Sequence, residues 1–99
     1  MMTINKTLEN GKLNVALEGR LDTTTAPELE NALKDVIADV KELEFDLSSL
    51  EYISSAGLRV LLSAQKVMNS QGSMKITNVV PEIMEVFEIT GFTDILTIA

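Results

Sequence analysis

The chain contains no cysteine, no histidine and no tryptophan. Without cysteine there is no disulfide, no thiol nucleophile and no cysteine-ligated zinc. Without histidine the commonest general base and the commonest metal ligand are both missing. A Ser-His-Asp triad is therefore excluded and no metal site is expected. Aromatic residues make up only 4% of the sequence, so a core must be built from Leu, Ile, Val, Met and Ala. Positive charge is also scarce, with 8 Lys and Arg against 15 Asp and Glu and a formal net charge of -7. Nucleic acid and anionic membrane reward clustered cations and are disfavoured as partners. No apolar run approaches the roughly 18 residues of a membrane span. The N-terminal MMTINKTLEN has no apolar signal stretch, and a cytoplasmic protein is expected. No glycine-rich phosphate loop is present, and no cofactor is expected.

What remains is enough for one domain over residues 1–99, because 45% of the residues are hydrophobic, well above the range of disordered chains. Residues 2–8 and 12–18 read as strands. Leu13, Val15 and Leu17 alternate with polar residues, and Asn10-Gly11 between the two segments is a hairpin turn signal. Gly19 is expected to end the second strand. Thr25-Ala26-Pro27-Glu28 reads as a helix start with a Thr cap, and Leu29, Leu33, Val36, Ile37 and Val40 extend one apolar stripe over roughly 26–40. Residues 42–47 form the next strand, and Ser48 to Ser54 a connection anchored by Leu50 and Ile53. A second helix runs from about Ala56 to Gly72, followed by a short strand at 74–77. A third helix opens at Pro81 and stops at Gly91, and a last strand spans 94–98. The order ββαβαβαβ implies crossover connections and an α/β fold with a mixed sheet, an N-terminal hairpin and three main helices.

The stretch with chemical content is Asp46-Leu47-Ser48 through Tyr52-Ile53-Ser54-Ser55-Ala56-Gly57-Leu58-Arg59. A strand delivers the chain to a loop, and Ser54-Ser55 stands at the mouth of a helix. A serine there can cap the helix, and the free amides and positive dipole end tolerate an anion such as phosphate. Gly57 permits close backbone approach. Arg59 lies one turn after Ser55, in reach of a phosphate or simply solvated.

This stretch resembles the signature of the STAS family, the sulfate-transporter and anti-sigma-factor-antagonist domains, in which Asp-Leu-Ser is followed by an aromatic-aliphatic pair and Asp-Ser-Ser-Gly-Leu. Gly19-Arg20-Leu21-Asp22 and Thr25-Ala26 match a second family loop. The resemblance spans the whole chain and implies an anti-sigma-factor antagonist. Its unphosphorylated form would bind an anti-sigma factor that is also a serine kinase and so free the sigma factor. Phosphorylation of Ser55, the residue aligned with the family phosphoserine, would block that binding, and a serine phosphatase would reset it. Ser54 replaces the family Asp and is the alternative phosphoacceptor; Ala56 replaces the second family Ser. Asp22, Thr25, Ser54, Ala56, Gly57 and Arg59 are the implied partner-binding residues. Family members also serve as accessory subunits of transporters and of stress-sensing complexes, which is the alternative role. An enzyme is disfavoured by the missing histidine and the absence of a G-x-S-x-G turn. A phosphopantetheine carrier is disfavoured by the strand patterns.

Overall fold

The computed structural model describes residues 2–99. A hairpin pairs β1 (Met2–Glu9) antiparallel to β2 (Lys12–Leu21), and Asn10 and Gly11 both turn it with positive φ, 49° and 82°. Next come α1 (Ala26–Lys34), β3 (Glu42–Ile53), α2 (Ser55–Gln71), β4 (Ser73–Thr77) and α3 (Pro81–Thr90). The sheet order is β1-β2-β3-β4, with β2, β3 and β4 mutually parallel. Two successive crossovers that step the same way across a sheet put their helices on one face. Leu13, Val15 and Leu17 of β2 and Leu43, Phe45 and Leu47 of β3 are buried on that face, joined in one core by Leu29, Leu61, Met68 and Phe87 from the helices. No helix among the described residues is long and apolar enough to cross a membrane.

Four boundaries differ from the sequence expectation, each for a physical reason. β3 does not stop at Leu47 but continues through the expected connection to Ile53. Its register against β2 slips twice, between the Ala16 and Glu18 pairs and again between Gly19 and Arg20. Each slip is a bulge in which one strand holds an extra residue. The burial pattern consequently changes from alternate residues to every third, Leu47, Leu50 and Ile53, and no longer looks like a strand. β2 likewise runs past Gly19, which sits at the irregularity with φ 98°.

α1 is shorter than the apolar stripe predicts. It stops at Lys34, and the chain turns into a single 3-10 turn at Ile37–Asp39. Gln71 of α2 donates through Nε2 to the carbonyls of Ile37 (2.6 Å) and Val40 (2.8 Å). Those contacts draw the segment down to α2, and Val40 is buried there without a helix to carry it. The expected last strand is reduced to one bridge, Ile98 to Ile76. Asp94 N–H donates instead to Gly91 O at 3.2 Å and Ile95 N–H to Phe92 O at 3.0 Å, holding Phe92–Asp94 in a 3-10 turn. The third helix starts at Pro81 and stops at Gly91, which takes φ 79° as a left-handed C-cap.

The junction of α2 and β4 admits no side chain. A Cβ at Gly72 would overlap the main-chain carbonyl of Lys41, whose oxygen accepts the first β4 rung from Ser73 N–H at 2.9 Å. Backbone atoms on both sides cannot yield, so overpacking of this kind costs about 1–3 kcal/mol. Gly72→Ala is expected to lower the melting temperature by roughly 5–15 °C in a domain of this size. Thermal unfolding followed by circular dichroism checks this; an unchanged melting temperature would mean that β4 shifts freely.

Candidate functional site

The ends of β2 and β3 build the site. Leu21 and Ile53 are register partners in the parallel ladder, and Ser54 N–H donates to Leu21 O at 2.9 Å. The two chains therefore leave the sheet side by side. Asp22 follows one end and Ser54-Ser55 the other, at the carboxyl ends of parallel strands, where open α/β sheets place their ligands.

The β3 side ends in a helix cap. Ser54 has extended backbone and is half-buried, and its hydroxyl accepts the Gly57 N–H at 3.3 Å. Ser55 is the first helical residue and is exposed. Among the described residues the Ser55 and Ala56 N–H groups have no acceptor, as expected of the first turn of a helix. Gly57 is buried, and a Cβ there would lie 2.7 Å from Leu21 Cγ and 2.9 Å from Ile53 Cγ1. Its missing side chain lets α2 start flush against the ends of both strands. Gly57 thus shapes the surface from beneath. Ala56 is half-buried, and Arg59 is exposed one turn below Ser55.

The β2 side is a tight turn organised by Asp22. Its Oδ1 accepts the Thr24 hydroxyl (2.7 Å) and the Thr24 and Thr25 N–H groups (3.0 and 3.1 Å). Thr25 stands at the N-cap position of α1, but its side chain does not cap the helix as the sequence suggests. It is buried, donates to Arg20 O at 2.7 Å and accepts the Asp22 N–H at 2.8 Å. Its hydroxyl ties the turn back onto β2, so Thr25 supports Asp22 and does not itself face outward.

Two residues given no role by the sequence complete the surface. The Arg20 guanidinium stacks over the Tyr52 ring, 4.2 Å from its centroid, and its Nε lies 3.9 Å from Asp22 Oδ2. Tyr52 is 41% exposed. The second bulge in β3 pairs Tyr52 with Arg20, a register no spacing rule anticipates. Arg20 does lie inside the Gly19-to-Asp22 motif, and that position is the one signal that could have drawn attention to it. Asp46 plays a supporting part away from this surface. Its Oδ1 accepts Ser48 N–H (3.0 Å) and Asn78 Nδ2 (3.2 Å), pinning the first bulge to the loop after β4. The Ser48 amide holds the Asp46 carboxyl below its ordinary range.

Hydrogen bonds from Thr24 and Thr25 hold the Asp22 carboxyl down from 3.8 to about 2. A carboxylate depressed in the folded state stabilises the fold fully above its unfolded pKa. That contribution is lost as pH falls through about 2. The Asp22 carboxyl carbon should therefore titrate near pH 2 by NMR. In Asp22→Asn the acceptor oxygen survives without the charge. The melting-temperature gap between this variant and the wild type should be constant near neutrality and should close below about pH 4. A midpoint near the ordinary value would show that the turn is not formed in solution.

Comparison with known proteins agrees with this architecture. The family described as Mlab, STAS domain matches residues 4–97. The Bordetella bronchiseptica protein BtrV, designated an anti-sigma factor antagonist, is 39% identical over 91% of this chain and 79% of its own. The anti-sigma-B factor antagonist of Bacillus subtilis is 30% identical over 99% of this chain and 93% of its own. The crystal structure of an anti-sigma factor antagonist from Mycobacterium paratuberculosis superposes with a TM-score of 0.89 at 26% identity, covering 99% of this chain and 85% of that one. With the match covering residues 4–97, from β1 through the residues after α3, the chain belongs to the STAS domain family.

Proposed function

We propose that this STAS chain is a non-enzymatic, cytoplasmic anti-sigma factor antagonist whose docking is switched by phosphorylation of Ser55. The antagonist role follows the names of its relatives. The observation that carries the switch is the division of labour between the two serines. Ser54 spends its hydroxyl as the helix cap and is half-buried, whereas Ser55 stands exposed at the first turn of α2. An exposed hydroxyl beside free amides is open to a kinase and can hold the phosphate once it is attached.

A phosphoryl group adds about 1.5–2 negative charges and three acceptor oxygens. Within the free domain the first-turn amides and the helix dipole accommodate it, with a gain of about 0.3–1 kcal/mol. In a docked complex the same group is driven into a surface matched to a neutral hydroxyl, beside the fixed charge of Asp22. Leaving a charge buried and unpaired costs about 3–5 kcal/mol, a loss of affinity of roughly a hundredfold or more. The fold does not have to change; desolvation and repulsion at one position suffice. The partner in this reading is an anti-sigma factor with serine kinase activity, and a serine phosphatase removes the group.

Incubation with the purified anti-sigma factor and ATP, followed by peptide mapping in a mass spectrometer, should place one phosphate on Ser55. Ser55→Ala should bind the anti-sigma factor as tightly as the unmodified chain, and Ser55→Asp should bind at least tenfold more weakly. Phosphate found on Ser54 alone would reassign the acceptor. Equal affinities for the Ala and Asp variants would remove the electrostatic basis of the switch.

A further inference from the structure

α1 does not cover α2. It has 9 residues against 17, about 14 Å against about 26 Å of helix. Because the chain turns away at Lys34, the lower half of α2 has no helical neighbour on that side. The consequence is a furrow along the seam. Its upper part, about 210 Å³, is walled by Thr23, Pro27, Ala56 and Arg59. Its lower part, about 250 Å³, is walled by Leu33, Ile37, Ala64 and Val67. Glu30, Val60 and Ser63 border both parts, so the two lie end to end along the seam.

The furrow has a definite chemistry. Leu33, Val60 and Ala64 are buried in its floor, and Val67 at the lower end is 39% exposed. Arg59 marks the upper end and Lys34 the lower, and among the described residues neither makes an ion pair. The upper mouth opens onto the switch surface, since Ala56 follows Ser55 and Thr23 is next to Asp22. From Ala56 to Val67 the furrow follows about 16 Å of α2, three helical turns. That length suits a helix whose apolar anchors recur at i, i+4 and i+7.

We propose that the furrow is the lower half of the docking surface and receives an amphipathic helix of the anti-sigma factor. That helix lays an apolar stripe on the floor and turns acidic side chains toward Arg59 and Lys34. The proposal rests on reading the chain as an antagonist. It assigns the affinity mainly to the furrow and the control to Ser55. Continuity with the switch surface, the uncovered length of α2 and the two free cations together favour a partner segment over a small ligand.

The test is calorimetric titration of the purified anti-sigma factor into the full chain and its variants, each first checked for an unchanged melting temperature. Ser63→Trp fills the furrow at its centre from an exposed position, and Val67→Asp puts a charge on its floor. Each should weaken binding 10- to 100-fold, and Lys34→Glu with Arg59→Glu should do so about tenfold. Lys66→Ala, exposed on α2 outside the furrow, should stay within twofold. If Ser63→Trp and Val67→Asp bind within twofold of wild type while Ser55→Asp binds weakly, the furrow is not a docking surface and the switch stands. If the furrow variants weaken binding and Ser55→Asp does not, the furrow stands and the switch falls. Wild-type affinity in all of them overturns both.

Discussion

The parallel pairing of the last residues of β2 and β3 is the constraint on which the rest depends. Leu21 and Ile53 lie in register, Ser54 N–H closes the ladder onto Leu21 O, and Gly57 fits against both side chains. These contacts bring together two loops that are some thirty residues apart in sequence. The pairing is possible only because β3 takes up two bulges on the way. Without them Tyr52 would not reach Arg20, and Ser54 would not arrive where α2 can start. Bulges are known to re-aim side chains near functional sites, and here they also set the position of a helix.

The surface that results is stiff on both sides for different reasons. On the β2 side, Asp22 is held by the Thr24 and Thr25 donors while Thr25 is tied down to Arg20. Arg20 is then shared between the Asp22 carboxylate and the Tyr52 ring. The ion pair is exposed and worth little alone, and the stack adds about 0.5–1 kcal/mol. Their value is geometric, since they leave Asp22 and Tyr52 few alternative positions. On the β3 side the stiffness comes from packing, because Gly57 leaves α2 no room to tilt. A rigid surface loses little freedom on docking, so under the proposed switch one added phosphate would alter affinity with little to absorb it.

Much of this was legible in the sequence, and the misses share a cause. The hairpin was marked by Asn10-Gly11, the third helix by Pro81 and Gly91, and the start of α2 by Ser54-Ser55 and Gly57, because in each case local backbone chemistry decides the structure. Three readings failed where contacts outside the element itself decide it. The period-three burial at Leu47, Leu50 and Ile53 makes sense only beside β2. The apolar stripe from Leu29 to Val40 is real, but Gln71 bends its second half out of helix. Thr25 was taken for a cap by its place before Pro27, yet its hydroxyl belongs to Arg20. Tyr52 stood in the signature stretch, but its pairing with Arg20 is created by a slip in register and not by any spacing.

The early end of α1 joins these threads. A helix continuing to Val40 would have covered α2 and closed the seam below Ser55. Capture of the Ile37 and Val40 carbonyls by Gln71 keeps the core sealed while leaving Val67 partly exposed. The apolar stripe is therefore divided, with Val40 buried in the core and Ile37 lining the furrow wall. Under the proposed switch, such a division suits a protein that binds strongly and releases on a single charge. Apolar burial supplies affinity that no phosphate alters, and a charge at the rim supplies control only if it is not the main source of that affinity. With the furrow beginning at Ala56, next to Ser55 on the same helix, a rigid fold would do both under the proposed reading.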